Sequence, residues 1–392
     1  MPGPDPAGPG VAAPGPVGVG YVGCGSIAQI HADGLAKLVE DGLARAVAAA
    51  DPSDRARAAV NRNCAFGRLS GDPDDVIADP EVEAVLIAVP TNRHEEILDK
   101  VLSAGKAVVC EKPLAPTFAG VQRMCRAVSA SQVVAQVGFH TRYHPMYRHL
   151  VTGIADGTWG VPMSYLLRDD QFFPSGDFVA GHSSWRHDHE VAGGGALLEH
   201  SIHAADVLVW AFGPPKRVFC RTRHAFGYGV EDSAIVTVEH QNGVIGSLVT
   251  VFNGVVGREE RRMEVFFEHA TMEITSDFVV GAPEDSMIVQ RPSSPPEPVD
   301  LAAVRERGFA AMGIARRDFL FYQYAADRNW LTAIRTGGTG YPTFSDAFSA
   351  HALVEAAYRS AATDRPVGIE GDLAGEPAAP PVAGPERGSA AR

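Results

Sequence analysis

Hydrophobic residues in the first third of the chain fall in short, nearly unbroken runs separated by amphipathic stretches. Val17–Val22, Ala44–Ala50, Ala84–Val89, Ala107–Cys110 and Val133–Val137 are runs of this kind, rich in valine and alanine. Apolar runs with no polar alternate face predict strands covered on both sides. Between them, Ile27–Val39, Arg93–Ala104 and Phe118–Ala130 carry apolar residues at helical spacing. Strand–helix alternation predicts a parallel sheet with helices on both faces.

The texture changes after about residue 140. A helix is expected near Pro145–Ala155 and a long one across Gly195–Phe212. Strand patterns follow at Arg217–Arg223, Ser233–His240, Val244–Phe252, Met263–Glu268 and Thr271–Thr275, with Gln241-Asn242-Gly243 as a hairpin turn. Arg316–Arg335 and Asp346–Ala362 read as closing helices, and no internal repeat is present. The fold class expected is α/β: an N-terminal Rossmann-type, doubly wound parallel sheet (17–140), then an α+β domain with a large, mostly antiparallel open sheet (141–371). Residues 1–16 and 372–392 are dominated by Pro, Gly and Ala and read as flexible tails.

Size and charge narrow the possibilities. A chain of 392 residues exceeds one comfortable core, which fits two domains. A net charge of -13 disfavours a broad basic face for nucleic acid or anionic membrane. No stretch is apolar and long enough to cross a bilayer. Cys24, Cys64, Cys110, Cys125 and Cys220 are scattered, with no C-x-x-C pair, so neither a zinc site nor a disulfide framework is expected. The N-terminus lacks the basic and apolar regions of a secretory signal, and a reducing cytoplasm is the expected location.

Chemistry first enters at the turn Gly23-Cys24-Gly25-Ser26-Ile27-Ala28, between the first strand and the first helix. Gly23 and Gly25 allow a tight turn and close backbone approach to a pyrophosphate. Ser26 and Ile27 open the helix whose N-terminus would face it, and Ala28 lets helix and strand pack closely. Asp51 closes the second strand at roughly the 20-residue spacing at which a carboxylate holds the ribose hydroxyls. That carboxylate would also repel a 2′-phosphate, which favours NAD over NADP. Ser53 and Arg55 nearby keep NADP open, and Asp51 equally suits a helix N-cap before Pro52.

Two further segments carry candidate catalytic groups. Cys110-Glu111-Lys112-Pro113-Leu114 follows a buried strand directly, and ligands of open α/β sheets sit beyond the carboxyl ends of strands. A solvated surface pair is the plainer alternative for Glu111 and Lys112. The second segment is Gly193-Gly194-Gly195 through Asp206. On one helix, Glu199, His203 and Asp206 would fall at i, i+4 and i+7 on an otherwise apolar surface. Such a stripe is either internally paired or faces a cleft. The His/Asp-rich stretch 182–190 reads as a polar substrate loop. No metal site is expected there, since no spaced pair of histidines comes with a third ligand.

These segments, in this order and spacing, resemble the Gfo/Idh/MocA family of oxidoreductases, the glucose–fructose oxidoreductase and inositol dehydrogenase group. The resemblance runs from about 17 to 370. It takes in the Gly23–Ala28 turn, Pro90-Thr91-Asn92-Arg93-His94, Glu111-Lys112-Pro113 and Gly138-Phe139-His140-Thr141-Arg142-Tyr143-His144-Pro145. It continues through Trp185-Arg186, Gly193–Asp206, Glu355–Ser360 and Arg365-Pro366-Val367. It implies that Lys112 bonds the reacting hydroxyl, that His203 is the general acid or base, and that Glu199 orients the imidazole. Glu199 stands where the family usually has Asp, and its extra methylene changes its reach. Thr91, Asn92, His94, Glu111 and Lys112 are implied on the cofactor side. Tyr143, Trp185 and Arg186 are implied on the substrate side, with Glu199, His203 and Lys112. The implied activity is NAD-dependent oxidation of a secondary alcohol on a sugar, cyclitol or glycoside, an aminosugar included, by a homo-oligomer associating through its C-terminal sheet. An NADP-dependent reductase of a keto-sugar or sugar nucleotide and a non-catalytic dinucleotide sensor are the alternatives.

Overall fold

The computed structural model describes residues 15–172, 184–253, 255, 259–276, 285–315 and 322–369. Most of both tails, Phe173, His182 and the first residues of the Arg316–Arg335 helix lie outside the described residues.

Six parallel strands form the first sheet. They are β1 (Val17–Val22), β2 (Ala44–Ala50), β3 (Arg68–Ser70), β4 (Ala84–Ile87), β5 (Ala107–Cys110) and β6 (Ala135–Val137), in the order β3-β2-β1-β4-β5-β6. Every residue of β1, β4 and β5 is buried, as the unbroken apolar runs require. Edge strand β3 is three residues with two of them exposed, too short and too polar to show as an apolar run. Helices α1 (Ser26–Glu40), α2 (Asp54–Asn63), α3 (Pro73–Ile77), α4 (His94–Ser103) and α5 (Phe118–Ala130) connect the strands. The strand order reverses between β1 and β4, and a crevice opens at the carboxyl ends of the strands there.

The second sheet has nine strands. These are β7 (Pro162–Phe172), β8 (Pro215–Arg223), β9 (Ser233–His240), β10 (Ile245–Asn253), β11 (Glu260–Phe267), β12 (Thr271–Ser276), β13 (Ser286–Gln290), β14 (Glu297–Pro298) and β15 (Val367–Gly368). Their order is β14-β13-β12-β11-β7-β10-β9-β8-β15. All pairs are antiparallel except β7 with β10. The Gln241–Gly243 turn joins β9 to β10 as expected, with Gly243 at φ +89°.

Central strand β7 is absent from the sequence expectation because its second half, Arg168-Asp169-Asp170-Gln171, reads as polar. The fold accepts it because Asp169 is buried against Arg261 of β11, with oxygens 3.0–3.1 Å from the guanidinium. Helix α6 (Pro145–Ala155) forms as expected, and a short α7 (His189–Ala192) precedes the Gly193–Gly195 run.

Gly195–Phe212 is not one helix. Ala196–His200 is a π-helical turn that ends at Ser201, and α8 spans Ile202–Phe212. Backbone bonds persist within the turn, from Glu199 N–H to Gly195 O at 2.8 Å and from Ser201 N–H to Ala196 O at 2.9 Å, and Glu231 caps its start. The Gly195 and Leu197 N–H groups donate to the two oxygens of Glu231, both at 2.8 Å, and Ala196 N–H donates to the Glu231 carbonyl at 3.0 Å. A Cβ at Gly195 would lie 1.9 Å from that carbonyl oxygen, so only glycine fits. At the far end, Ser201 Oγ lies 2.8 Å from Asp169 and 2.6 Å from Thr250.

Helices α9 (Leu301–Ala311), α10 (Tyr322–Thr336) and α11 (Phe344–Thr363) complete the chain. A capping box of Thr343 and Asp346 starts α11. One core runs from the first sheet through Val121, Leu208 and Leu353 to Val236 and Leu248 of the second. A smaller core joins Ala28, Ala32 and Leu35 of α1 to Tyr324, Ala325 and Leu331 of α10.

Asp206, the third member of the expected stripe, faces away from the crevice and is bound by Arg142 at 2.7 and 2.9 Å. Arg142 also reaches Tyr341 and Asp346, each at 3.0 Å, and lies against the ring of Trp210. Removing one partner of a buried pair strands the other charge. Arg142→Leu is therefore expected to cost about 3–5 kcal/mol, read as a lower urea midpoint with an unchanged slope.

Candidate active site

The site begins at the glycine turn. Gly23 sits at φ +94°, and a Cβ there would be 2.3 Å from the Ala88 carbonyl oxygen, so no other residue fits. Its N–H donates to Ala50 O at 2.8 Å, which ties the turn to β2. Gly25 caps α1 without any side chain, and a Cβ there would meet nothing within 4 Å. The helix N-terminus is thus open towards the crevice, the arrangement suited to a pyrophosphate. Asp51 accepts from Cys24 N–H at 2.9 Å and from Ser53 N–H at 2.8 Å, which fixes its carboxylate at the rim.

A cavity of about 650 Å³ extends from this turn to the second sheet. Its first-sheet wall carries Gly23, Gly25, Ser26, Ile27, Asp51, Thr91, Arg93, His94, Glu111 and Lys112. The opposite wall carries Gln171, Trp185, Arg186, Glu199, His200, His203 and Gln323, with His140 between. Its size suits a buried organic ligand.

Groups from distant parts of the chain meet at the inner end. Lys112, placed by β5, donates from Nζ to the Glu199 carbonyl at 3.1 Å. The Glu199 side chain turns instead to Arg186, at 3.2 Å. Glu199 therefore orients a guanidinium. The rings of His203 and His140 stand 4.4 Å apart, with Phe139 edge-on to His203. Among the described residues, neither His203 Nδ1 nor His140 Nδ1 has a hydrogen-bond partner.

Burial sets the protonation states. It lowers the Lys112 ammonium from its usual range, while Glu199 and Glu111 resist. Burial, then the neighbouring His140 and Lys112, hold His203 well below an ordinary imidazole. His140 is lowered to about 3, mainly by burial. Both imidazoles are thus neutral at pH 7, and His203 is in the form that accepts a proton.

Glu111 belongs to a different network. Its Oε1 lies 3.2 Å from His31 Nε2 on α1, and His31 Nδ1 is 2.7 Å from Asp327 on α10. Burial opposes a charge on His31, but Asp327 and then Glu111 prevail and raise it to about 10. Burial and Glu111 push Asp327 upward while His31 relieves it, so the shared proton rests on the imidazole. Glu111 stays low against its burial because His31 bonds it.

Three of the expected site residues lie off this cavity's wall. Tyr143 is buried, donates to Tyr341 O at 2.6 Å and lines a separate cavity, so it does not face the site. Ser53 caps α2, accepting from Ala56 N–H at 3.3 Å, and is absent from the cavity wall. Asn92 is exposed beside the wall, whereas Thr91 and His94 line it. His94 is held by backbone carbonyls, with Nδ1 3.0 Å from Pro113 O and Nε2 2.9 Å from Val89 O.

The sequence reading missed His31, Asp327, His140, Gln171 and Gln323. For His140 a signal existed, because it follows β6 as Glu111 follows β5. Gln323 and Asp327 arrive on α10, which no local pattern links to the cavity. Among the described residues no cluster of three His, Cys, Asp or Glu side chains is arranged to hold a metal ion. Among them, too, no helix is long and apolar enough to cross a membrane.

Comparison with known proteins defines the class. Residues 17–139 match an oxidoreductase family with an NAD-binding Rossmann fold, and residues 147–273 match the GFO/IDH/MocA C-terminal domain. The chain belongs to the Gfo/Idh/MocA oxidoreductases, and its first sheet is that family's NAD-binding unit. Similar curated proteins include a myo-inositol 2-dehydrogenase of Thermotoga maritima, 29% identical over 251 residues (62% of this chain, 70% of that protein). An inositol 2-dehydrogenase of Ralstonia nicotianae is 34% identical over 228 residues (56% and 63%). A scyllo-inositol 2-dehydrogenase (NAD(+)) of Bacillus subtilis is 28% identical over 231 residues (57% and 64%). The matched stretch thus spans less than two thirds of the last two proteins. Among solved structures, levoglucosan dehydrogenase in complex with NADH has the same fold, with a TM-score of 0.79 at 23% identity, over 90% of this chain and 99% of that one.

The buried imidazoles give stability a two-sided pH dependence. His140 and His144 lie near 3 and His351 near 4, against 6.5 when unfolded, so their contribution is present above 6.5 and is lost as pH falls toward those values. His31 lies near 10, so its contribution is complete below 6.5 and is lost as pH rises through 10. Urea midpoints measured across pH are expected to peak near neutrality, and His144→Phe should flatten the acid side alone.

Proposed function

We propose that the protein is an NAD-dependent dehydrogenase that reversibly oxidises a secondary alcohol of a sugar, cyclitol or glycoside to a ketone. The observation that carries the reading is the convergence of Lys112 and His203 in the cavity that starts at the glycine turn. When bound, NAD supplies the hydride acceptor for the carbinol carbon. Lys112 Nζ donates a hydrogen bond to the reacting oxygen and stabilises negative charge there as the hydrogen departs. The neutral His203 ring receives the hydroxyl proton, and in ketone reduction returns it. Trp185 and Arg186 form the outer wall against which a polyhydroxylated ring is placed, with Arg186 steadied by Glu199. The names of the inositol dehydrogenases and of levoglucosan dehydrogenase support this substrate class.

Asp51 supports NAD over NADP, because both its oxygens accept backbone N–H bonds at the rim and would lie beside a ribose 2′ position. A cytoplasmic location belongs to the same reading, as does self-association through the open face of the second sheet. Leu166, Ile235 and Ile245 are exposed on that sheet.

Lys112→Ala and His203→Ala are each expected to lower turnover about 100-fold or more while NAD still binds, measured by cofactor absorbance across a polyol and glycoside panel and by calorimetry. Wild-type turnover in either variant would refute the assigned roles. Binding of NADP tighter than NAD would favour the reductase reading, and tight NAD binding with no turnover across the panel would favour a sensor.

A further inference from the structure

Glu111 and Lys112 are adjacent, oppositely charged and partly or fully buried, yet among the described residues no ion pair joins their side chains. Both Glu111 oxygens are already engaged. Oε1 faces His31 at 3.2 Å, and Oε2 accepts the Lys112 backbone N–H at 3.2 Å. The carboxylate is seated against the backbone of Gly138, where a Cβ would lie 2.2 Å from Oε1. Lys112 Nζ is thereby left to reach across to the Glu199 carbonyl at 3.1 Å, on the wall that carries His203.

We propose that His31, clamped between Asp327 and Glu111, is a positioning residue that keeps the Glu111 carboxylate off Lys112 Nζ and so leaves that amine free for substrate. The inference rests on the role given to Lys112 above. The charged and titratable groups around this point are Asp327 from α10, Glu111 and Lys112 after β5, His140 after β6 and Tyr21 of β1. His140 is neutral, so His31 and Lys112 are the cations available to Glu111. Without the imidazolium the carboxylate turns to the ammonium, which keeps its proton more tightly and loses its reach. The anchor comes from α10, which the sequence places more than 200 residues beyond Lys112, so the closing helix helps to set the reacting group.

The test reads Lys112 directly, with no substrate or turnover. Full-length protein is labelled with an amine-selective acylating reagent at pH 8, and labelling of Lys112 is followed by peptide mass spectrometry. His31→Gln is expected to slow it about tenfold, as a tenfold smaller free-amine fraction requires, and Glu111→Gln is expected to speed it. The double variant should label like Glu111→Gln alone, because His31 acts only through Glu111. Labelling of His31→Gln at the wild-type rate, or slowing of equal size with Gln at 111, would overturn the proposal. Should His31→Gln fail to fold, Asp327→Asn should slow labelling in the same direction. In the unaltered protein, ¹⁵N-histidine spectra should show His31 doubly protonated at pH 8.5, and a neutral ring there would overturn the proposal as well. Absence of dehydrogenase activity would refute the function proposed above without touching these readings.

Discussion

The active cavity depends on one arrangement: a turn of non-α geometry, held at both ends by buried carboxylates. Glu231 grips the Gly195–Leu197 backbone, and Asp169 holds Ser201 with the help of Arg261. Between those clamps the chain bulges as a π-helical turn, so Glu199 faces Arg186 and the following residues deliver His203 to the cavity. A regular helix would have put Glu199, His203 and Asp206 on one stripe. The bulge separates them into an ion pair, a neutral ring with an unclaimed nitrogen, and a structural anchor for Arg142. Buried polar backbone needs partners, and the Glu231 carboxylate supplies them for the N–H groups at the start of the turn.

The two halves of the cavity differ in how they handle charge. On the cofactor side, backbone groups do most of the work: an uncapped helix N-terminus, a glycine held at positive φ and an aspartate fixed by two N–H donors. On the reacting side, burial itself sets the protonation states, because among the described residues neither His203 nor His140 is ion-paired with a carboxylate, and both stay neutral. His31 is the counterexample within the same molecule. Two carboxylates flank it, and they overcome the same burial that neutralises the other rings, so His31 alone among them is raised, to about 10.

The inner strands of the first sheet were legible because they are buried on both faces, and such strands announce themselves as unbroken apolar runs. The glycine turn and Lys112 were legible for a related reason, since both follow those runs directly. Strand β7 was hidden by its buried charges, which only a tertiary partner such as Arg261 makes tolerable. The π-helical turn was hidden because Glu231, its anchor, comes 32 residues after Glu199 in the chain. Tyr143 shows the opposite error, where a motif placed a residue near the site but the backbone turned its ring away. Asp327 could not have been found locally, because its partner His31 lies 296 residues away in the chain.

The decisive measurement is transfer of the label itself. Polyols and glycosides deuterated at their carbinol carbons would be incubated with the protein and NAD, and the cofactor analysed by mass spectrometry. Hydride transfer predicts deuterium on the nicotinamide ring of the reduced cofactor, with the matching ketone lacking it. Bound NAD that acquires no deuterium from any alcohol in the panel would contradict a dehydrogenase assembled around Lys112 and His203.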